Sequence, residues 1–266
     1  MKLKKLFCTI EIYVLLIFII FAFFSKYISF QNINLETTDS LVAPNLEHIL
    51  GTDDLGFDIF SQLVYGGKIS LEISFFTAIF SAVGGSILGA FAGYFGGWRD
   101  KMILSIIDIF LSIPELPLMI VLGAFLGTNL KNIIFVLVLV TWTHPAKIAR
   151  NEIIKLKNEK YILLSKAYGG SFFHIFRWHL LKPMWSIIIT AIVKIMNKAI
   201  LAEASLAYLG LGDPLSKSWG MIISRAMSFP NIYFTEYYKW WLLPPLVLLI
   251  ILVVTLASLA QKLEKL

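Results

Sequence analysis

The chain alternates between long apolar runs and short polar segments. Six runs consist mainly of hydrophobic residues, at positions 6–24, 69–94, 102–126, 132–148, 184–206 and 240–259. A helix of about 20 apolar residues crosses the hydrocarbon core of a bilayer, which is about 30 Å thick. The pattern therefore predicts an all-α polytopic membrane protein with six transmembrane helices.

Composition supports this class. Of 266 residues, 58% are hydrophobic and only 15% are charged, whereas a soluble domain carries about 25% charged residues. The single cysteine, Cys8, excludes a disulfide within the chain and a thiolate metal site.

The first run also resembles the start of a signal peptide. It is longer than a usual signal-peptide core, and Phe23-Phe24-Ser25-Lys26 lacks the small residues of a cleavage site. We therefore expect an uncleaved span.

The distribution of basic residues predicts the orientation. With both termini inside, the inner segments hold 15 Lys and Arg and the outer segments hold six, while Lys194 and Lys198 lie within a span. By the positive-inside rule, both termini and the basic segment 147–182 are expected in the cytoplasm. We thus divide the chain into residues 1–68, an N-terminal span with an extracytoplasmic segment, and residues 69–266, a five-span core.

Two runs have features that bear on packing. The run 69–94 is rich in glycine and alanine, which let membrane helices approach closely, so we expect it to be buried. Pro114 and Pro117 lie near the middle of the run 102–126 and are expected to kink or break it. Asp108 in the same run is either a functional group at membrane depth or a partner of Arg99 or Lys101.

The fifth run contains four polar residues that are candidates for a translocation path, namely Lys194, Asn197, Lys198 and Glu203. The two lysines lie one helical turn apart, where like charges repel unless an anion is near. They either line a water-filled path that meets carboxylates of a transported solute, or pair with acidic groups on neighbouring helices or a partner subunit.

The motifs of soluble enzyme chemistry are missing from the sequence. There is no Gly-x-x-x-x-Gly-Lys-Ser/Thr loop for nucleotide phosphates and no His-Glu-x-x-His. The four histidines are dispersed, and a spacing of five between His174 and His179 is not expected to place them on one helical face.

Residues 161–183 combine basic and aromatic side chains around a glycine pair. Gly169-Gly170 is expected to end one short helix, and Ser171 to cap a second. An ordinary basic loop on anionic lipid would explain the charge but not this helix, glycine break and helix.

The segment resembles the cytoplasmic EAA loop of bacterial ABC importer permeases. Further stretches are similar to permeases of the dipeptide, oligopeptide and nickel group, in particular to the second, C-type permease subunit. They are His48-Ile-Leu-Gly-Thr-Asp-Asp-Leu-Gly-Phe-Asp58, Tyr65-Gly-Gly, Gly93-Tyr-Phe-Gly-Gly-Trp98, Glu203-Ala-Ser-Leu-Ala-Tyr-Leu-Gly-Leu-Gly212 and Trp219-Gly220. The chain departs from the family pattern at Leu164-Ser165, where Ala-Ala is common.

The resemblance implies a type I ABC importer permease that couples ATPase closure to alternating access. Its coupling segment, residues 150–183, would dock on the ATPase through Tyr161, Ser165, Ala167, Gly169, Gly170, Ser171 and Arg177, with Tyr161 to Arg177 forming the docking helix. The implied partners are a different permease chain, two ATPase subunits that carry ATP and Mg²⁺, and an extracytoplasmic substrate-binding protein, in a bacterial inner or plasma membrane. No cofactor on this chain and no nucleic acid partner are expected.

The implied substrate is a di- or oligopeptide, or alternatively nickel or a metal chelate. The alternative hypotheses from other functional classes are a membrane-embedded lipid-modifying enzyme and a passive channel.

Overall fold

The computed structural model describes residues 10–24, 39–214 and 216–265, and helices are the regular secondary structure of these ranges. The helices are α1 (Ile10–Phe23), α2 (Ile59–Phe95), α3 (Gly97–Ser112), α4 (Glu115–Leu126), α5 (Leu130–Thr141), α6 (Thr143–Leu156), α7 (Lys160–Ala167), α8 (Phe172–Ile175), α9 (Leu181–Tyr208), α10 (Trp219–Ser228) and α11 (Leu243–Glu264). A π-helical turn, Phe176–Leu180, joins α8 to α9.

Four or five membrane spans are recognisable by length and apolar composition in the described residues. Four are Ile59–Phe95, Leu130–Leu156, Phe173–Tyr208 and Glu236–Glu264, and the pair α3 and α4 makes the fifth if it is taken as one span. The predicted first span, 6–24, falls on α1, which has 14 residues, and its first residues lie outside the described ranges. The all-α polytopic class is confirmed, and of the six predicted spans the described residues contain four, or five if α3 and α4 are counted as one span.

Helix α2 is the centre of the bundle and packs most extensively against α6 and α9. Gly85, Gly89 and Gly93 form one face, spaced four residues apart as on a single helical side. A Cβ on Gly89 would lie 2.0 Å from the Ala146 carbonyl oxygen, and one on Gly85 would lie 2.3 Å from the Trp142 carbonyl oxygen. The prediction of a buried, closely packed helix is confirmed.

Helix α2 begins ten residues before the predicted start of its run. Asp58 caps it by accepting a hydrogen bond from the Ser61 N–H at 2.7 Å. Ile59 and Leu63 are buried in a core with Trp219 of α10. The polar residues of this first stretch interrupt the hydrophobic pattern, so the pattern did not predict the helix there. Helix α10 likewise lies between the fifth and sixth apolar runs, where no span was predicted.

The third span is bent by 93° between α3 and α4. Ile113 is extended, and Pro114 directly precedes Glu115 at the start of α4. Because proline disfavours helical conformation in the preceding residue, the predicted break occurs there.

The segment before α2 is held by its own aspartates, as its turn chemistry predicts. Asp53 Oδ1 accepts hydrogen bonds from the N–H groups of Leu55 and Phe57 at 3.0 and 2.8 Å, and Oδ2 accepts one from Gln62 Nε2 at 2.7 Å.

The bundle has two distinct ends. The basic end carries Asp100, Arg150 and the coupling segment, and residues 39–58 with α10 lie at the opposite end. Arg150 donates from Nε and Nη2 to the two carboxylate oxygens of Asp100 at 2.5 and 2.7 Å, which ties α6 to α3.

Candidate functional site

The coupling segment folds as a short helix, a glycine break and a second short helix. Helix α7 ends at Ala167 with Tyr168 as its C-cap, and Gly169 follows with φ +81° in the left-handed region that glycine adopts readily. The N–H of Gly170 donates to the Ser165 carbonyl oxygen at 2.8 Å. The Ser171 hydroxyl oxygen then accepts the His174 N–H at 3.3 Å, as expected of a helix cap.

The docking helix that the resemblance implies from Tyr161 to Arg177 is not a single helix, whereas the predicted order of helix, glycine break and helix is confirmed. Residues in this range belong to α7, α8 and the π-helical turn, and the left-handed backbone at Gly169 separates the first from the others. A left-handed residue cannot continue a right-handed helix, so the chain changes direction at this point.

Buried aliphatic side chains attach the segment to the bundle. Ile162, Ile175 and Leu180 are fully buried, and they pack in one core with Ile153 of α6 and Met184 of α9. The segment therefore moves together with the two spans that flank it, because displacing it alone would expose this core.

The opposite surface of the segment exposes large side chains. Tyr168 is 87% exposed and Phe173 is 81% exposed, and Leu163, Leu164, Tyr161 and Trp178 are also exposed. Among the predicted coupling residues, Tyr161, Ala167, Gly169, Ser171 and Arg177 are exposed, and Ser165 and Gly170 are half-buried. Several large exposed apolar side chains on one short segment are typical of an interaction surface.

The prediction that His174 and His179 do not share a helical face is wrong. The rings of His174 and His179 lie 6.1 Å apart, and Tyr161 lies 5.7 Å from His179. The π-helical turn has an i to i+5 repeat, which brings residues five apart onto one side. No group of three His, Cys, Asp or Glu with metal-binding geometry occurs in the residues that the structure describes.

Each of the two lysines of α9 contacts a carboxylate. Lys194 pairs with Glu264 at the end of α11. Lys198 Nζ lies 2.5 Å from Glu115 Oε1 at the bend of the third span, and His144 Nε2 lies 3.8 Å from the same oxygen. The like charges are thus compensated by two different helices.

Glu203 and Asn197, the other two candidates for the translocation path, are less exposed. Glu203 is buried and accepts a hydrogen bond from the Ser218 hydroxyl at 2.5 Å. Asn197 is half-buried, and its Oδ1 has no hydrogen-bond partner among the described residues.

Asp108 pairs with a residue that the sequence did not suggest. Its Oδ1 lies 3.6 Å from Lys147 Nζ, whereas Arg99 lies over the Phe95 ring at 5.2 Å. Helix α3 packs beside α6, so a cation distant in sequence is nearer than those one or two turns away.

Sequence reasoning also missed the cluster around Glu115. Neither Glu115 nor His144 was assigned to a site from the sequence. A carboxylate directly after a proline break and a His-Pro step within an apolar run were the available signals.

Residues 85–264 match the protein family described as "Binding-protein-dependent transport system inner membrane component". The dipeptide transport system permease protein DppC of Bacillus subtilis (strain 168) is 32% identical over 219 residues, which make up 81% of this chain and 68% of that protein. The oligopeptide transport system permease protein OppC of the same organism is 33% identical over 246 residues, or 92% of this chain and 78% of that protein. The probable D,D-dipeptide transport system permease protein DdpC of Escherichia coli (strain K12) is 29% identical, covering 81% of this chain and 73% of that protein.

A solved structure shares the fold. A chain of the MetNI methionine ABC transporter, in an inward-facing conformation, superposes with a TM-score of 0.61 at 21% identity, covering 77% of this chain and 96% of that chain. This match and the family match confirm the predicted permease architecture. The family is one of membrane transport components, so the alternative hypotheses of a lipid-modifying enzyme and a passive channel are not supported. The chain belongs to the family of binding-protein-dependent transport system inner membrane components, the multi-pass permease subunits of ABC importers.

Proposed function

We propose that this chain transmits force in an ATP-driven importer of di- or oligopeptides. The observation that carries the proposal is the coupling segment, whose buried side joins α6 and α9 and whose exposed side presents aromatic and aliphatic residues. The relatives named above for dipeptide, oligopeptide and D,D-dipeptide transport support peptides as the substrate class.

The partners follow from this role. A second, different permease chain would complete the path, two ATPase subunits would bind ATP and Mg²⁺, and an extracytoplasmic binding protein would deliver the peptide. The basic end of the bundle would face the cytoplasm with both termini, in agreement with the positive-inside rule. This chain would bind no cofactor of its own.

Docking would use the exposed surface of the coupling segment. Tyr161, Ala167, Gly169, Ser171 and Arg177 would contact the ATPase, while Ser165 and Gly170 would hold the turn beneath them. A Cβ on Gly170 would lie 2.7 Å from the Ser165 carbonyl oxygen, but a Cβ on Gly169 would meet nothing within 4 Å. Gly169 therefore faces open space that a partner can enter.

The path would run along α9. Lys194 borders a cavity of about 250 Å³ with Thr190 and Glu264, and Lys198 and Asn197 follow one turn further. Glu203, buried against Ser218, would hold the loop before α10 rather than contact the solute.

Substitution of Gly169 tests the docking surface. We expect Gly169→Glu to remain in the membrane but to lose ATPase co-purification and peptide uptake, because its charged side chain would occupy the space into which the ATPase docks. Gly169→Asn is the matched control, since asparagine tolerates left-handed backbone and adds a smaller, uncharged group.

The measurements are co-purification of the ATPase and its stimulation by peptide-loaded binding protein in proteoliposomes that contain the whole complex. We expect Gly169→Asn to keep most of both. Normal stimulation and uptake in Gly169→Glu would contradict the docking surface, and a wild-type complex unresponsive to the loaded binding protein would contradict peptide import.

A further inference from the structure

Three ionisable side chains meet where the third span bends. Glu115 is the first residue of α4, His144 lies in the first turn of α6, and Lys198 lies on α9. Both contacts of the carboxylate fall on Oε1, at 2.5 Å from Lys198 Nζ and 3.8 Å from His144 Nε2. One anionic and two basic groups thus come from three different spans.

The positions of the three residues along their apolar spans place the cluster away from both ends of each span. Each residue is in the middle third of its helix or helix pair, namely α3 with α4, the segment Leu130–Leu156, and α9. A charged group near the middle of a bilayer is costly and rare. Such groups therefore face the protein interior or a water-filled cavity rather than lipid.

The cluster is nevertheless open within this chain. The side chains of Glu115, Lys198 and His144 are 34%, 35% and 59% exposed. Because lipid is an unfavourable neighbour for them, this exposed side faces water or another protein chain.

The cluster has unused hydrogen-bonding capacity. Glu115 Oε2 makes no hydrogen bond within the described ranges, and Lys198 Nζ donates only to Glu115 among the described residues. An ammonium group has three donors, so two N–H bonds of Lys198 remain. Asn197, adjacent to Lys198, adds a buried Oδ1 acceptor that has no partner in the part of the chain that the structure describes.

These groups match the two ends of a peptide. We infer that Glu115, Lys198 and His144 form a transient site for the charged termini of a zwitterionic peptide in transit, a role that rests on the proposed function. The peptide carboxylate accepts hydrogen bonds from Lys198 and His144, and its ammonium group donates to Glu115.

Binding of this kind exchanges one ion pair for two. Glu115 and Lys198 compensate each other while the site is empty, which avoids an unpaired charge at depth. A peptide that inserts between them replaces their mutual contact with two contacts of the same type. Since the exchange gains little net free energy, the site holds the solute weakly, as passage through a membrane requires.

The ion pair Asp108–Lys147 provides a matched control. It also joins the third span to α6, with 3.6 Å between the charged atoms, and its side chains are 64% and 48% exposed. It consists of two groups only and lies on the α3 side of the bend.

The test compares two doubly neutral variants in the complete transporter reconstituted in proteoliposomes. Replacing both members of an ion pair with uncharged residues of similar shape leaves no unpaired charge and is often neutral for stability. We expect Glu115→Gln with Lys198→Met to retain assembly and ATPase stimulation by loaded binding protein, but to take up a zwitterionic dipeptide about tenfold more slowly. Asp108→Asn with Lys147→Met is expected to transport as the wild type does.

A photoactivatable dipeptide gives a second readout. In the wild-type complex it should label segments of α4 and α9 around Glu115 and Lys198, and labelling should fall about tenfold in the Glu115/Lys198 variant. Uptake within twofold of the wild type, or labelling confined to other segments, would overturn the inference. Loss of complex assembly in this variant would overturn it too, because the cluster would then face the partner permease. Failure of the proposed function is distinguished from these outcomes because the wild type itself would then show neither uptake nor stimulation.

Discussion

The close approach of α2 to α6 is tested by adding one methyl group at Gly89. The Cβ of Gly89→Ala would lie 2.0 Å from the Ala146 carbonyl oxygen, and ordinary van der Waals contact begins at 3.4 Å. The two helices must therefore separate locally by about 1.4 Å, the difference between these distances. A backbone carbonyl cannot turn away as a flexible side chain can, so the strain is not easily relieved.

Overpacking of this kind costs about 1–3 kcal/mol, and we expect the upper end of that range. The gain in helix propensity from glycine to alanine offsets at most about 1 kcal/mol. Gly84→Ala is the matched control, because it lies in the same helix and its Cβ would meet nothing within 4 Å. The control should be as stable as the wild type or slightly more stable.

The assay is unfolding of the full-length chain in mixed micelles by added denaturing detergent, followed by tryptophan fluorescence. The expected result is a net loss of about 2 kcal/mol for Gly89→Ala, with Gly84→Ala at or above the wild-type value. If both variants unfold within about 0.5 kcal/mol of the wild type, a change typical of surface sites, the tight α2–α6 contact is refuted.

Two further predictions concern charged side chains. Arg150→Met should lower the free energy of unfolding by about 2 kcal/mol, because the charge-assisted hydrogen bonds to Asp100 are lost. Arg150→Lys should lower it by less. Equal stability of the wild type and both variants in the same assay would contradict the bidentate contact. Burial first and a neighbouring aspartate second raise the pKa of Asp54, so ionisation destabilises the fold as pH rises through the unfolded and then the folded pKa. Burial of Asp54 is only partial and the residue stays accessible to solvent, so Asp54→Asn should exceed the wild type in stability above about pH 5 by less than about 1 kcal/mol. The difference should vanish below about pH 3, and a difference that grows on acidification would contradict the sign of the shift.

The sequence by itself determined the helical membrane class and the features that depend on neighbouring residues. The apolar runs, the small-residue face of α2, the break near Pro114 and the turn at Gly169-Gly170 were all predictable. Each follows from length, local backbone preference or side-chain size, which act within a few residues.

The tertiary structure decided which distant groups meet. The sequence could not pair Asp108 with Lys147 or bring Glu115 to Lys198, because such contacts depend on how the spans cross. The early start of α2 likewise depends on burial against α10, which supplies the apolar partner that the local pattern lacks. In a membrane bundle, contact with lipid does little to favour one helix arrangement over another, because lipid tails are as apolar as the side chains. Packing and charge compensation between helices therefore determine the arrangement.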